Sequence, residues 1–222
     1  MYRCLTLFEV EVEARGPDII KSMSAIATAV PRGPYANTPR RKAEIVAAAA
    51  NIFAVAGYRG GSLRQIASDL GLSFTSVKHH FHTKENLLIA VLEANDALAV
   101  ENLKADKAGL GFLESAIALA QRNLGKRGAQ RLLALLAAEA SAPDHPAHAW
   151  FLERYERVRG HLAQGIAEDI AAGRLSAEID PSSTATTLMA LWDGLQLQWL
   201  LYPDFDMISA MRKGFEALLR AS

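Results

Sequence analysis

The stretch from Ser62 to Phe81, SLRQIASDLGLSFTSVKHHF, constrains this chain more than any other, because it reads as two short helices joined by a tight glycine turn. Leu63, Ile66, Ala67 and Leu70 recur at i, i+3, i+4 and i+7, the spacing of one buried helix face. Ser62 is a good N-cap, and Gln65 three residues on completes a capping-box pattern. Gly71 permits a turn that other side chains resist, and Ser73 can cap the second helix. That second helix buries Val77 and Phe81 and leaves Phe74, Thr75, Ser76, Lys78 and His79 outward. Hydroxyls, rings and a cation on a short exposed helix suit the base edges and phosphates of a DNA major groove.

The flanks make the pattern specific. Upstream, Thr38-Pro39 is an N-cap followed by proline at the first helical position, and Ile45, Ala49, Ile52, Phe53 and Ala56 form one apolar stripe closing at Gly57. Downstream, Thr83-Lys84-Glu85-Asn86-Leu87-Leu88 starts a helix that runs to about Lys107. With Ile45, Phe53, Gly57-Tyr58, Leu63, Ile66-Ala67, Leu70-Gly71-Leu72-Ser73, His80-Phe81, Lys84-Glu85 and Leu87-Leu88 in these positions, the chain resembles the tetracycline-repressor (TetR) family of bacterial regulators over residues 38 to about 92. Where that family's recognition helix has a small residue and then a tyrosine, this chain has Thr75 and Lys78, which implies the same docking with a different base preference.

The resemblance implies an all-α fold of about nine helices in two parts, for which a chain of this length has room. A three-helix helix-turn-helix domain over residues 38–84 would bind a palindromic operator, through Thr38, Arg40, Arg41, Ser62, Arg64, Ser73, Phe74, Thr75, Ser76, Lys78, His79 and Lys84. A helical bundle over residues 85–222 would bind a small effector and form a homodimer through a four-helix interface. A repressor released by its effector is the leading expectation. An activator of the same fold, or a helical ligand-binding or protein-interaction dimer with degenerate DNA binding, is the alternative.

Charge is distributed to match. The net charge is zero over the whole chain, but residues 38–84 hold seven Lys and Arg against Glu44 and Asp69, a balance of +5, while residues 85–222 carry −5. This polarity presents the small domain to phosphates and turns the large one away. A single cysteine, Cys4, cannot form an internal disulfide, and no apolar run of about 18 residues exists to span a membrane, so a cytoplasmic protein is expected. Residues 1–37 read as a flexible extension; the alternative, since Met23 opens a more usual start, is that residues 1–22 are upstream sequence from a misassigned start codon.

Catalytic, metal and cofactor readings fail on spacing. His79, His80 and His82 crowd a helix end but point in different directions, unlike the i, i+4 or Cys/His sets that hold zinc. No phosphate loop, Gly-x-Ser-x-Gly or dinucleotide fingerprint occurs.

Beyond residue 108, helices are predicted near 111–124, 129–141, 146–172, 181–202 and 206–220. Phe112, Ile117, Leu133, Leu136, Trp150 and Tyr155 supply an apolar and aromatic lining for a small hydrophobic effector, or else an ordinary core. Glu139 follows a long apolar run; buried it needs a partner from protein or effector, and exposed it carries no message. The helix from 181 is apolar on most sides and therefore buried on most sides. Either it is the centre of one chain's bundle, or Leu188, Leu191, Trp192, Leu195 and Trp199, beside Ile208, Met211 and Phe215, meet a second copy.

Overall fold

A computed structural model of the chain describes residues 37–106 and 111–220. Regular structure among these residues is entirely helical: α1 (Asn37–Gly60), α2 (Leu63–Asp69), α3 (Phe74–His80), α4 (Lys84–Asp106), α5 (Phe112–Leu124), α6 (Arg127–Glu139), α7 (His148–Ala171), α8 (Pro181–Leu201) and α9 (Met207–Leu219). The expected N-terminal extension, with Cys4 and the Met23 start, lies outside the described residues. No helix among them is long and apolar enough to cross a membrane.

The five C-terminal helices end within two residues of their predicted limits, and side-chain caps open the last two. The Asp180 carboxylate accepts from the N–H groups of Ser182 and Ser183, and Pro181 occupies the first helical position, where a missing donor costs nothing. Asp206 caps α9 through the Ser209 N–H. Gly57 ends the regular run of α1 as its stripe suggests. It takes φ 69° and ψ 179°, a kink beyond which a short second helical piece reaches Gly60.

Two apolar cores hold the helices. The first joins Ile45, Ala49 and Phe53 of α1, Ile66 and Ala67 of α2, Val77 of α3 and Leu87, Leu88, Val91 and Leu92 of α4 to Leu132 and Leu136 of α6 and Phe151 of α7. The boundary expected at residue 84 therefore falls inside a shared core. The second joins Ile117 and Ala120 of α5, Ile166 of α7, Leu188, Leu195 and Trp199 of α8 and Met211 and Phe215 of α9.

This division bears on two sequence expectations. Leu188, Leu195, Trp199, Met211 and Phe215 are buried within their own chain, with the partly buried Leu191, Trp192 and Ile208 packed against them, as the reading of α8 as the centre of one chain's bundle expects. A helix with leucine or tryptophan on most sides gives periodicity nothing to choose between; the face left outward carries Leu197 and Leu201, 53% and 66% exposed. The effector candidates also separate. Phe112 and Ile117 belong to the second core, whereas Leu133, Leu136, Trp150 and Tyr155 lie in or against the first. Glu139 belongs to neither core, and its carboxylate accepts the backbone N–H of Tyr58.

A buried carboxylate fastens the second core. Asp169 of α7 accepts the N–H of Phe112, the first residue of α5, at 2.9 Å, and the Nε and Nη2 of Arg174 at 3.0 and 2.6 Å. Removing it leaves the part-buried Phe112 amide unpartnered, at a cost of about 1–3 kcal/mol, while the exposed Arg174 guanidinium turns to water. Asp169→Ala is expected to lower the thermal midpoint by roughly 2–4 °C for each kcal/mol lost, and Asp169→Asn, which keeps an acceptor, by less. Circular-dichroism melts of the two variants check this.

Candidate nucleic-acid interface

The turn between α2 and α3 is built as its residues suggest. Ser62 Oγ accepts the Gln65 N–H at 3.1 Å and opens α2. Beyond Leu70 the chain reverses through Gly71 at φ 62°, and Leu72 N–H donates to Ala67 O at 2.8 Å, sealing the end of α2 with a Schellman-type bond. Ser73 Oγ then accepts the Ser76 N–H at 3.1 Å to start α3. Val77 is fully buried and Phe81 nearly so, which pins α3 by its inner face. Phe74, Thr75, Lys78 and His79 are left exposed, and Ser76 is half-buried.

Cations surround this exposed face. The Arg64 guanidinium of α2 lies 5.4 Å from the Phe74 ring centre, which places the arginine beside the first turn of α3. At the other end, Lys42 lies 5.4 Å from the Phe81 ring, and the His79 and His80 rings meet edge to face at 5.6 Å. Burial lowers the His80 pKa, and the nearby charges of His79, Arg41 and Lys42 lower it further. Arg40 and Arg41 both pair with Glu44, at 3.1 and 2.7 Å, on the exposed start of α1 next to Thr38. No group of three or more His, Cys, Asp or Glu among the described residues is placed to hold a metal ion.

Behind the face, Tyr58 is a joint between three elements. Its N–H donates to Glu139 Oε2 at the end of α6, at 2.9 Å, and its hydroxyl donates to Glu85 Oε1 at the start of α4, at 2.6 Å. The Lys84 ammonium sits 4.2 Å from its ring centre, and the His145 ring meets its edge at 5.2 Å. The Tyr58 hydrogen bond is the main reason the Glu85 pKa is lowered, and burial lowers that of Lys84. Lys84 is thus a partly buried cation at a helix N-terminus rather than a freely solvated one. Sequence patterns single out Gly57-Tyr58 but cannot pair Tyr58 with Glu139, which stands 81 positions away.

An open cleft of about 340 Å³ between α7 and α8 is lined by Glu156, Arg159, Gly160, Ala163, Ser182 and Thr186. None of the seven effector candidates lines it.

Comparison with known proteins covers both halves of the chain. Residues 45–91 match the family described as bacterial regulatory proteins, tetR family, and residues 115–220 match the C-terminal region of BetI-type transcriptional repressors. The HTH-type transcriptional regulator UidR of Escherichia coli K12 is 24% identical over 182 residues, 80% of this chain and 90% of its own length. Among solved structures, a TetR-family regulator from Agrobacterium tumefaciens superposes with a TM-score of 0.71 at 20% identity, over 83% of this chain and all of that one. A transcriptional regulator from Saccharomonospora viridis in complex with choline superposes with a TM-score of 0.69 at 23% identity, over 81% of this chain and 95% of that one.

The histidines behind the interface make its stability depend on pH. The His145 pKa is lowered chiefly by burial and also by Arg59, against the opposing charges of Glu139 and Asp144, so folding favours the neutral ring, as it does for His80. An unfolded histidine titrates near pH 6.5, about where the unfolded chain starts to bind more protons than the folded one. The stability from the neutral rings is therefore complete above that pH and is lost as pH falls through it. Thermal midpoints measured from pH 7.5 down to about 5.5 should fall, and more steeply in the wild type than in His145→Gln.

Proposed function

The chain belongs to the tetR family of bacterial regulatory proteins, and we propose that it is a cytoplasmic repressor which binds a palindromic operator as a homodimer and is released by a small hydrophobic effector. As a member of that family it is a DNA-binding transcription regulator and not an enzyme. One observation carries the proposal: a doubly capped helix-turn-helix whose second helix buries Val77 and turns Phe74, Thr75, Lys78 and His79 to solvent among cations. Such a helix reads a few base pairs, and a two-fold pair reads two half-sites about one DNA turn apart.

The outward face of α8 supports the dimer. Leu197, Leu201 and Tyr202 are more than half exposed, and Ala190 and Gly194 on the same side allow close approach of a second helix. That a small molecule acts on this fold rests on the related structure that holds choline, a small cation, and on the way α4 leads from α3 into the C-terminal helices, while a hydrophobic effector rests on the apolar and aromatic residues of α5 to α7. Asp96 of α4 pairs with Arg154 at 3.2 Å and with Arg157, both on α7, so a shift of α7 would pull on the helix that carries the DNA-reading unit. An effector acts here only through its greater affinity for the arrangement that spoils half-site spacing.

Selection of operators from random-sequence DNA, repeated with variants, tests the DNA roles. Lys78→Ala and Ser76→Ala are expected to change which bases are preferred. Lys84→Ala should weaken all sequences about equally and reduce the salt slope by about one, because a cation at the α4 N-terminus meets phosphate and not bases. A changed preference from Lys84→Ala alone would reverse these roles.

Leu197→Glu and Leu201→Glu test the dimer without disturbing either core, since both side chains already lie at the surface. Sedimentation should show folded monomers, and operator affinity should fall by orders of magnitude while weak non-specific binding persists. A folded monomer that binds the operator as tightly as the parent would remove the dimer from the mechanism.

A further inference from the structure

The Glu139 carboxylate occupies a notch that only glycine leaves open. A Cβ added at Gly57 would stand 2.2 Å from Glu139 Oε1, and Gly57 itself takes φ +69°, a conformation unfavourable for any other residue. The other oxygen accepts the Tyr58 N–H at 2.9 Å. One carboxylate from the last residue of α6 therefore seats against the break in α1 and satisfies the first amide beyond it.

The surroundings hold that carboxylate in one place. His145, in the loop after α6, accepts the Ala147 N–H on Nδ1 at 3.2 Å, which puts the proton of the neutral ring on Nε2. Nε2 is buried without a hydrogen-bond partner and lies 3.7 Å from Glu139 Oε2. His148, one turn on, bonds through Nδ1 to Ala140 O at 2.8 Å and tightens the same loop. On the opposite side Tyr58 is locked to α4 through Glu85 and Lys84. Among the described residues, α6 thus meets the recognition unit through a charge-assisted hydrogen bond at a hinge-like break, beside the apolar packing of Leu132 and Leu136, which has no comparable direction.

We infer that Glu139 is a positioning residue for operator recognition: by clamping the Gly57–Tyr58 peptide it sets the angle at which α1, α2 and α3 leave the C-terminal helices. This rests on the DNA-binding reading above. Specific binding requires the two α3 helices of a dimer at a fixed separation, so it depends on that angle; non-specific attraction depends on the summed surface charge and does not.

The test uses the full-length protein, an operator selected from random-sequence duplex DNA by the wild type, and an unrelated duplex of equal length. Glu139→Ala should lower operator affinity by about tenfold or more with non-specific affinity within about twofold of wild type. Glu139→Gln keeps an oxygen that accepts the Tyr58 N–H and should restore operator affinity to within about threefold. Where alanine unfolds the chain, Glu139→Asp, one methylene too short to hold both contacts, takes its place and should show the same split. If a folded Glu139 variant lacking the bond binds the operator as the wild type does, the inference is overturned while the DNA-binding reading stands. A parallel fall in specific and non-specific binding, or no rescue by glutamine, also overturns it. Failure of the wild type to enrich any sequence would instead remove the DNA-binding reading.

Discussion

Burial of the α1 stripe is the constraint from which the rest of this molecule follows. Ile45, Ala49 and Phe53 are fully covered, on one side by the two helices of the turn and α4, and on the other by Leu132 and Leu136 of α6. Neither α2 nor α3 exceeds seven residues, too short to be stable alone, so their geometry is borrowed from this shared packing. The same packing ties the DNA-reading unit to the C-terminal helices. Interiors of this density do not deform smoothly, so a change in α6 or α4 reaches α3 as a rigid displacement.

The parts legible in the sequence were those whose chemistry is local. Ser62, Ser73 and Asp180 each accept from amides within three residues, so spacing alone identifies them. The exposed set on α3 was legible for the same reason, because one face of a short helix with Val77 and Phe81 inside leaves little freedom for the remainder. The split of charge along the chain gave an independent sign of where phosphate would be welcome.

Tertiary choices were not legible. In α8 the inward set Leu188, Leu195 and Trp199 and the outward set Leu197 and Leu201 are chemically alike, and only packing against α7 and α9 decides between them. Phe112 and Leu136 look equally suited to one chamber, yet they fill different cores. Glu139 drew attention as a carboxylate after an apolar run, which if buried needs a partner and if exposed carries no message. That it accepts a backbone amide beyond a left-handed glycine depends on a long-range approach that no periodicity encodes.

The recognition helix has a further property. Val77 is its one buried residue, and Ser73 caps it from outside, so the outward positions contribute almost nothing to folding. Sequence change at Phe74, Thr75, Lys78 and His79 is therefore nearly invisible to stability selection while it alters the face proposed to meet DNA. A scaffold built this way can exchange one set of target genes for another by surface substitution alone, and two such regulators in one cell can diverge in address without passing through an unfolded ancestor.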